Sequence, residues 1–352
     1  MKTHTLSNRQ HMIKVDVCMA SYNHVNFIQD AVESVIKNAE YVPLQLWIVD
    51  DGSTDGTVDY LQTIKSDLIS VEYNKKNIGA SATMNKAFSY GSAELVSIMN
   101  SDDVWHPRKL ESQVSAYKDG FGEAIFTLAE YIDADGKILK QGKGNYSPDT
   151  FKTMKDWDQS DWLKLVSFGG NCLCTPSFVG RRSAIEKVGG YDNRFKQIPD
   201  IELWTRLFQS ERPHVIPDKL LQFRLHDNNT SKGTEDALNR HRFEAKMIMK
   251  SLFLSMDKDV LKNFFKIYDQ NDVTVFDQII AYLSKGPPNA IQVAAELIHE
   301  NLASAKYESY LTELDLHKLS GAGDISGNSL KRRLNMLYQL TFQKFIKKIT
   351  NN

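Results

Sequence analysis

The chain is poor in several things, and each shortage closes a class of explanation. Three cysteines in 352 residues, Cys18, Cys172 and Cys174, cannot staple a chain of this size, and the last two stand too close together for a zinc-ribbon pair. The economical reading is free thiols in a reducing compartment. No apolar run approaches the ~20 residues that a membrane-spanning helix needs, and residues 1–14 lack the apolar core of a secretory signal. These features predict a cytoplasmic protein, free or peripheral at the inner face of a membrane. Charge of neither sign dominates: 43 Lys and Arg against 44 Asp and Glu leave a formal net charge of -1, so no basic field calls for nucleic acid as a partner.

What is present is an ordinary globular balance, 41% hydrophobic and 25% charged, with enough chain for one large core or two. The most informative stretch is an apolar run over 95–99 that ends in Asn100, Ser101, Asp102 and Asp103. A buried strand that delivers two carboxylates to a sheet edge can hold a divalent cation against a phosphate-bearing ligand, because ligands of open α/β sheets bind beyond the strand C-termini. The same aspartates can also start a turn and cap the helix that Pro107 introduces.

Two earlier strand ends have a similar character. An apolar run over 15–20 stops at Ser21, Tyr22, Asn23 and His24, and another over 44–49 ends in Asp50, Asp51, Gly52, Ser53, Thr54 and Asp55. Between them Ile28, Val32, Val35 and Ile36 have helical spacing, and a helix over 58–64 follows, capped by Thr54 or Asp55. A short strand over 69–73 then leads through Asn77, Ile78 and Gly79 into a helix over 80–90 that carries Asn85. This is a βαβ rhythm, and in a parallel sheet the loops at 21–24, 50–55 and 100–103 share one edge.

Further on, Gly189, Gly190, Tyr191 and Asp192 form a turn. In 199–207 the apolar residues Ile201, Leu203, Trp204 and Leu207 define one helical face, with Asp200 at its N-terminus and Glu202 a solvated neighbour. Strands over 215–217 and 220–223 precede Arg224, Leu225 and His226, followed by the polar run Asn228, Asn229, Thr230 and Ser231.

Taken in order, Ala20-Ser21-Tyr22-Asn23, the 50–55 loop, Asn77-Ile78-Gly79 with Asn85, and Ser101-Asp102-Asp103 resemble the nucleotide-sugar-binding half of family-2 glycosyltransferases of the GT-A fold. Four such pieces in sequence are far more specific than any one of them. The Asp200 segment and the Arg224-Leu225-His226 run are similar to the family's catalytic and closing motifs, and the resemblance ends near Ser231.

It implies a GT-A type α/β fold: a Rossmann-like, mostly parallel sheet flanked by helices, followed here by an α-helical C-terminal extension. The implied divisions are a tail over 1–13, a nucleotide-sugar-binding half over 14–105, an acceptor-binding and catalytic half over 106–234, and a helical region over 235–352. The implied activity is inverting, metal-dependent transfer of a sugar from a nucleotide diphosphate, UDP favoured, to a hydroxyl of a glycan, lipid-linked or protein-linked acceptor in cell-surface polysaccharide synthesis.

By the same resemblance Ala20, Asn23, Asn77, Gly79 and Asn85 belong to the donor site. Tyr22 stacks on the base, Asp51 or Asp50 accepts the uracil imide hydrogen, and Asp102 holds the ribose. Asp103 carries Mn2+ or Mg2+, His226 reaches that metal or the diphosphate, and Asp200 is the general base, with Glu202 as fallback. Three positions depart from the family pattern: Asn100 replaces its first aspartate, Met84 an arginine before Asn85, and Pro199 an acidic residue before Asp200.

The polar and aromatic stretch 145–162 reads either as an acceptor-binding loop or as a loop packed on Trp157 and Trp162. Beyond 235 the chain reads as helices, with a linker over 320–328 and a last amphipathic helix over 330–349. That helix sets Leu330, Leu334, Leu337, Tyr338, Thr341 and Phe345 on one face, and its charges, Lys331, Arg332, Arg333, Lys344, Lys347 and Lys348, are all basic. It suits peripheral contact with a membrane or with a subunit. Two rival functions remain. A nucleotidyltransferase needs a glycine-rich basic phosphate loop after the first strand, and Ser21 to His24 is not one. The other rival is a non-catalytic module that binds nucleotide-sugar or glycan and acts through its C-terminal helices.

Overall fold

A computed structural model of the chain describes residues 13–139, 157–167, 170–171, 173–227, 229 and 234–255, with Phe264 and Val293. The tail, Cys172, the 145–156 part of the expected acceptor loop, the 320–328 linker and the 330–349 helix lie outside the described residues.

The apolar runs become strands where expected: β1 Val15–Ser21, β2 Leu44–Asp50, β3 Ile69–Tyr73 and β4 Leu95–Asn100. β1 is buried almost throughout, because it runs between β2 and β4 and is parallel to both, while β2 continues parallel to β3. α1 Ile28–Ile36, α2 Thr57–Thr63 and α3 Ala80–Phe88 are the crossovers. In α1 the buried Ile28, Ala31, Val32 and Val35 are the i, i+3, i+4, i+7 set that a helix lays on a sheet. They pack with Val15, Val17, Met19, Leu44, Leu46 and Ile48 in the main core cluster.

The sheet continues through β5 Val104–Trp105, β6 Ala124–Ile132, β7 Val179–Arg181 and β8 Pro213–Arg224 to the order β3-β2-β1-β4-β7-β6-β8-β5. β7 is antiparallel to both β4 and β6, β8 is parallel to β6, and β5 is antiparallel to β8. Among the described residues these are mostly parallel ladders closed by short antiparallel pieces, with α4 Lys109–Lys118, α5 Gln159–Ser167, α6 Arg182–Val188 and α7 Pro199–Leu207 around them.

Two features differ from the sequence expectation. The two strands read at 215–217 and 220–223 are one, β8, whose register against β6 slips beside Thr127 and Leu128. Pro217 and Asp218 fall in that slip, where the missing proline N–H leaves no ladder bond unmade. α5 begins at Gln159, inside the stretch read as a loop, and Trp162 is buried with its ring 4.9 Å from Trp157 and 6.3 Å from Phe208. Trp204 and Phe208 join Phe126 and Phe178 in the same aromatic packing, with Trp204 5.0 Å from both Phe126 and Phe178.

Asp16 is the one charge inside the central strand, and it is fully engaged. It accepts hydrogen bonds from Arg182 at 2.7 Å, the Ala93 amide at 2.7 Å and the Trp47 indole at 3.1 Å, so a buried carboxylate fixes β1 to the start of α6. Cys18 and Cys174 are free and buried.

Helix α8, Glu235–Ser255, runs across the point where the chain divides into two compact units, 1–244 and 245–352. In the second unit Ala245, Ile248, Met249 and Leu252 are buried, and the rings of Phe253 and Phe264 meet edge-on at 5.5 Å. Among the described residues no helix is long and apolar enough to cross a membrane.

Candidate active site

The parallel register of β1, β2 and β4 brings their polar loops to one edge, as Ser21↔Asp50 and Ala20↔Asn100 stand opposite one another. The first two loops are then sewn together. Asn23, at φ 53, accepts from the Thr54 amide at 2.8 Å and donates its own amide to Ser53 Oγ at 2.8 Å. The amides of His24 and Val25 donate to Thr57 Oγ1 and Asp55 Oδ2. A side chain tolerant of the left-handed region is needed at that corner, and asparagine is one. Tyr22, at the tip, leaves 44% of its surface exposed.

Asp50 and Asp51 are both buried. Asp50 accepts from the Ser53 amide at 2.8 Å and from Ser53 Oγ at 2.6 Å. Asp51 accepts from Asn74 Nδ2 and from the amides of Ile78 and Gly79, each at 2.9 Å. Gly79 sits at φ 95 as α3 begins, and Asn77 Oδ1 also accepts from its amide. Asn85, expected at the donor, is turned into the protein: it exchanges both amide bonds with the Tyr191 backbone, at 2.8 and 2.7 Å. Gly190, at φ +68, allows this approach, since a Cβ there would stand 2.6 Å from Asn85 Oδ1. Ala20 closes β1 at half-buried depth.

The two aspartates after β4 differ sharply. Asp103 is fully buried and accepts from Asn100 Nδ2 at 2.9 Å and from the Arg224 amide at 2.8 Å. Burial, then the neighbouring Asp102, pushes its carboxyl up, against the pull of those bonds. Asp103, expected to be the metal ligand, therefore faces inward. The carboxylate that meets the imidazoles is Asp102, with Oδ2 3.0 Å from His226 Nε2 and 4.0 Å from His24 Nε2. Ligand atoms of His24, Asp102 and His226 lie within 4.8 Å of one another. His24 is held by Ser101 Oγ at 2.8 Å from Nδ1, and burial keeps its imidazole below the ordinary value despite Asp102.

Arg224 fixes this cluster. Its buried guanidinium donates to the carbonyls of Asp102 (2.8 Å) and Ala134 (2.9 Å) and to Asp30 Oδ2 (3.0 Å), and lies 5.1 Å from the Phe27 ring. Because β5 pairs with β8 directly after Asp103, the sheet itself sets His226 beside Asp102.

Asp200 opens α7 with Pro199 at the first helical position. It is half-buried, and its Oδ2 accepts from Asn171 Nδ2 at 2.8 Å and Thr175 Oγ1 at 3.1 Å. Burial lifts its carboxyl above the ordinary value, against the lowering bonds from the Ile201 amide, Thr175 and Asn171. The buried Cys174 thiol is pushed up by burial and then by the charges of Asp103, Asp200 and Asp102, so all three carboxylates act on it through space. Glu202, the fallback base, is taken up in an ion pair with Arg206, whose Nε stands 2.6 Å from its Oε1. Sequence reasoning missed His24 and the supports Asn171, Thr175 and Arg224. The signal for His24 was its place at a strand end on the same edge.

Comparisons with known proteins supply the family and the fold. Residues 16–189 match the family described as Glycosyl transferase family 2, and this stretch of the chain belongs to that family, a family of transferase enzymes. A glycosyltransferase of Rickettsia prowazekii is 25% identical over 305 residues, covering 85% of this chain and 89% of the relative. A Nostoc glycosyltransferase is 26% identical over 182 residues, and the chain spans about half of that relative's length, 53%. TuaG of Bacillus subtilis, named for teichuronic acid biosynthesis, is 39% identical over 127 residues, 36% of this chain and 50% of the relative. Among solved structures, residues 1–349 of Staphylococcus aureus TarS, in complex with UDP-GlcNAc, align with a TM-score of 0.56 at 15% identity, over 80% of this chain and 84% of that one. At that identity the likeness speaks for the fold, a curled GT-A sheet.

Proposed function

We propose that the protein is an inverting glycosyltransferase that moves a sugar from a nucleotide diphosphate, a UDP-sugar first among candidates, to a hydroxyl of a glycan or glycoconjugate in cell-surface polysaccharide assembly. One observation carries the reading: the sheet edge closes His24, Asp102 and His226 into an imidazole–carboxylate cluster, and the elevated, half-buried carboxylate of Asp200 acts with Asp102 on the same buried thiol, Cys174. Teichuronic acid biosynthesis in the name of TuaG and UDP-GlcNAc in the TarS complex support the direction of the chemistry.

Each residue has a role that its surroundings suit. Tyr22 offers an exposed ring for the base, a contact worth roughly 1–3 kcal/mol where bases stack on aromatics. Asp51 uses three of about four carboxylate lone-pair positions internally, which leaves one on Oδ2 for an imide N–H. Asp102 with His226 and His24 would hold a divalent cation. Two imidazoles with one carboxylate favour Mn2+ over Mg2+, which prefers oxygen ligands throughout. Bound there, the cation would offset the charge that develops on the departing diphosphate. Asp200 takes the proton from the attacking acceptor hydroxyl, and Asn171 and Thr175 hold its Oδ2 so that Oδ1 can receive it. Asp103 positions Asp102 through the Arg224 amide.

Nucleotide release from a panel of UDP-, GDP- and dTDP-sugars, with and without Mn2+, tests the reading. Asp200→Asn should lower transfer by about 10²–10⁴-fold and leave nucleotide binding intact; equal loss of both removes Asp200 from the role. Tight nucleotide binding with no turnover on any donor would favour the non-catalytic module.

A further inference from the structure

The first unit holds an open groove of about 550 Å³ whose lining does not include the residues assigned to the reaction above. One wall is Gln197; the other is the beginning of α8, with Asp236, Ala237, Asn239, Arg240 and Phe243. Phe243 leaves 62% of its surface exposed, so its ring is open to a ligand in the groove. A carboxylate, two amides and a guanidinium around one flat apolar face form a surface that matches a sugar. Its hydroxyls need partners that donate and accept, and its C–H face needs an aromatic plane.

The groove is also tied to Asp200. Gln197 stands three residues before it, and three extended residues span at most about 11 Å. Glu244, the residue after Phe243, is buried and accepts from the amides of Lys196 (2.9 Å), Gln197 (2.9 Å) and Ile198 (3.0 Å). Three successive N–H groups closed on one carboxylate make a strong, directional clamp. That clamp holds the two walls in register, and the clamped segment runs straight into Pro199 and Asp200.

We infer that this groove is the subsite for the acceptor, an oligosaccharide whose ring lies on Phe243 and whose hydroxyls meet Asp236, Asn239 and Arg240, so that its terminal hydroxyl is held toward Asp200. The assignment rests on the transferase reading for the role of Asp200. It extends that reading by placing acceptor recognition on a helix beyond the family-matched residues.

The test uses the full chain and a panel of tagged trisaccharides built from hexose, N-acetylhexosamine and uronic acid, with direct binding measured in the absence of donor. The wild type should hold at least one panel member. Phe243→Ala and Arg240→Ala, both at exposed positions, should weaken that binding at least tenfold and raise the acceptor KM by at least as much. Unchanged binding in both variants, or no panel member held by the wild type, overturns the subsite. A wild type that releases no nucleotide from any donor would instead overturn the transferase reading, and the donor-free binding arm would still decide the groove.

Discussion

β2 and β4 both end in a pair of aspartates, and the protein uses the two pairs in opposite ways. Asp50 and Asp51 together accept five hydrogen bonds from the loops around them, and they shape the edge on which a nucleotide would rest. In the second pair Asp103 takes the same inward role, and Asp102 alone turns to groups that can exchange partners, two imidazoles. The lesson is that an acidic residue's chemistry is set by how many fixed N–H donors already point at it. A carboxylate held by fixed donors is mostly architecture, with Asp51 keeping one lone pair open, and one that faces titratable rings remains available to a cation.

The largest test of this contrast is Asp102→Asn, which should reduce metal-supported nucleotide release by at least about 10²-fold, beyond what supporting residues around a metal usually cost. Its melting temperature should stay close to that of the wild type. Next, Asp51→Asn turns an NH2 either toward the Gly79 amide or toward the donors of Asn74 and Ile78 and should cost about 1–3 kcal/mol of stability, read from the urea midpoint. An unchanged uridine-to-cytidine preference in that variant would remove Asp51 from base recognition and leave it a purely structural residue.

Asp200 lies between the extremes: Asn171 and Thr175 bond its Oδ2, and the Ile201 amide also favours its ionised form. A general base must be ionised, and burial raises its carboxyl above 3.8, so kcat/KM for transfer should rise with pH along an acid limb above the ordinary carboxylate range. Asn171→Ala removes a bond that favours the ionised form and should carry that limb to still higher pH. A limb that stays in place would detach Asn171 from the base. The smallest effect belongs to Ser53→Ala, which loses the bonds to Asp50 and from the Asn23 amide. It should lower stability by about 1 kcal/mol and leave Mn2+ dependence untouched.

Much of the parallel half was legible in the sequence because its strands are continuous apolar runs that stop abruptly in polar loops. β7, three residues between a short turn and α6, carries no period to read, and β5 has two residues that gain meaning only from β8. Pro217 made β8 look like two strands, since sequence does not show that a register slip accommodates it. At the site, Asp102, Asp200 and His226 were visible as motif members. The ranking of Asp102 over Asp103 was not, because it depends on the Arg224 amide, 121 residues along the chain. Glu244 lies outside every motif and acts through contact alone.

The Asp102–His226 pairing has a consequence for how the molecule is made. Synthesis runs from the N-terminus and domains fold as units, so β1 to β4 leave the ribosome well before the sheet they belong to is complete. The His24–Asp102–His226 cluster closes last, because His226 follows β8, the strand that joins β6 to β5. A truncated chain that ends before His226 would keep the polar loops of β1, β2 and β4 and lack the imidazole that stands 3.0 Å from Asp102.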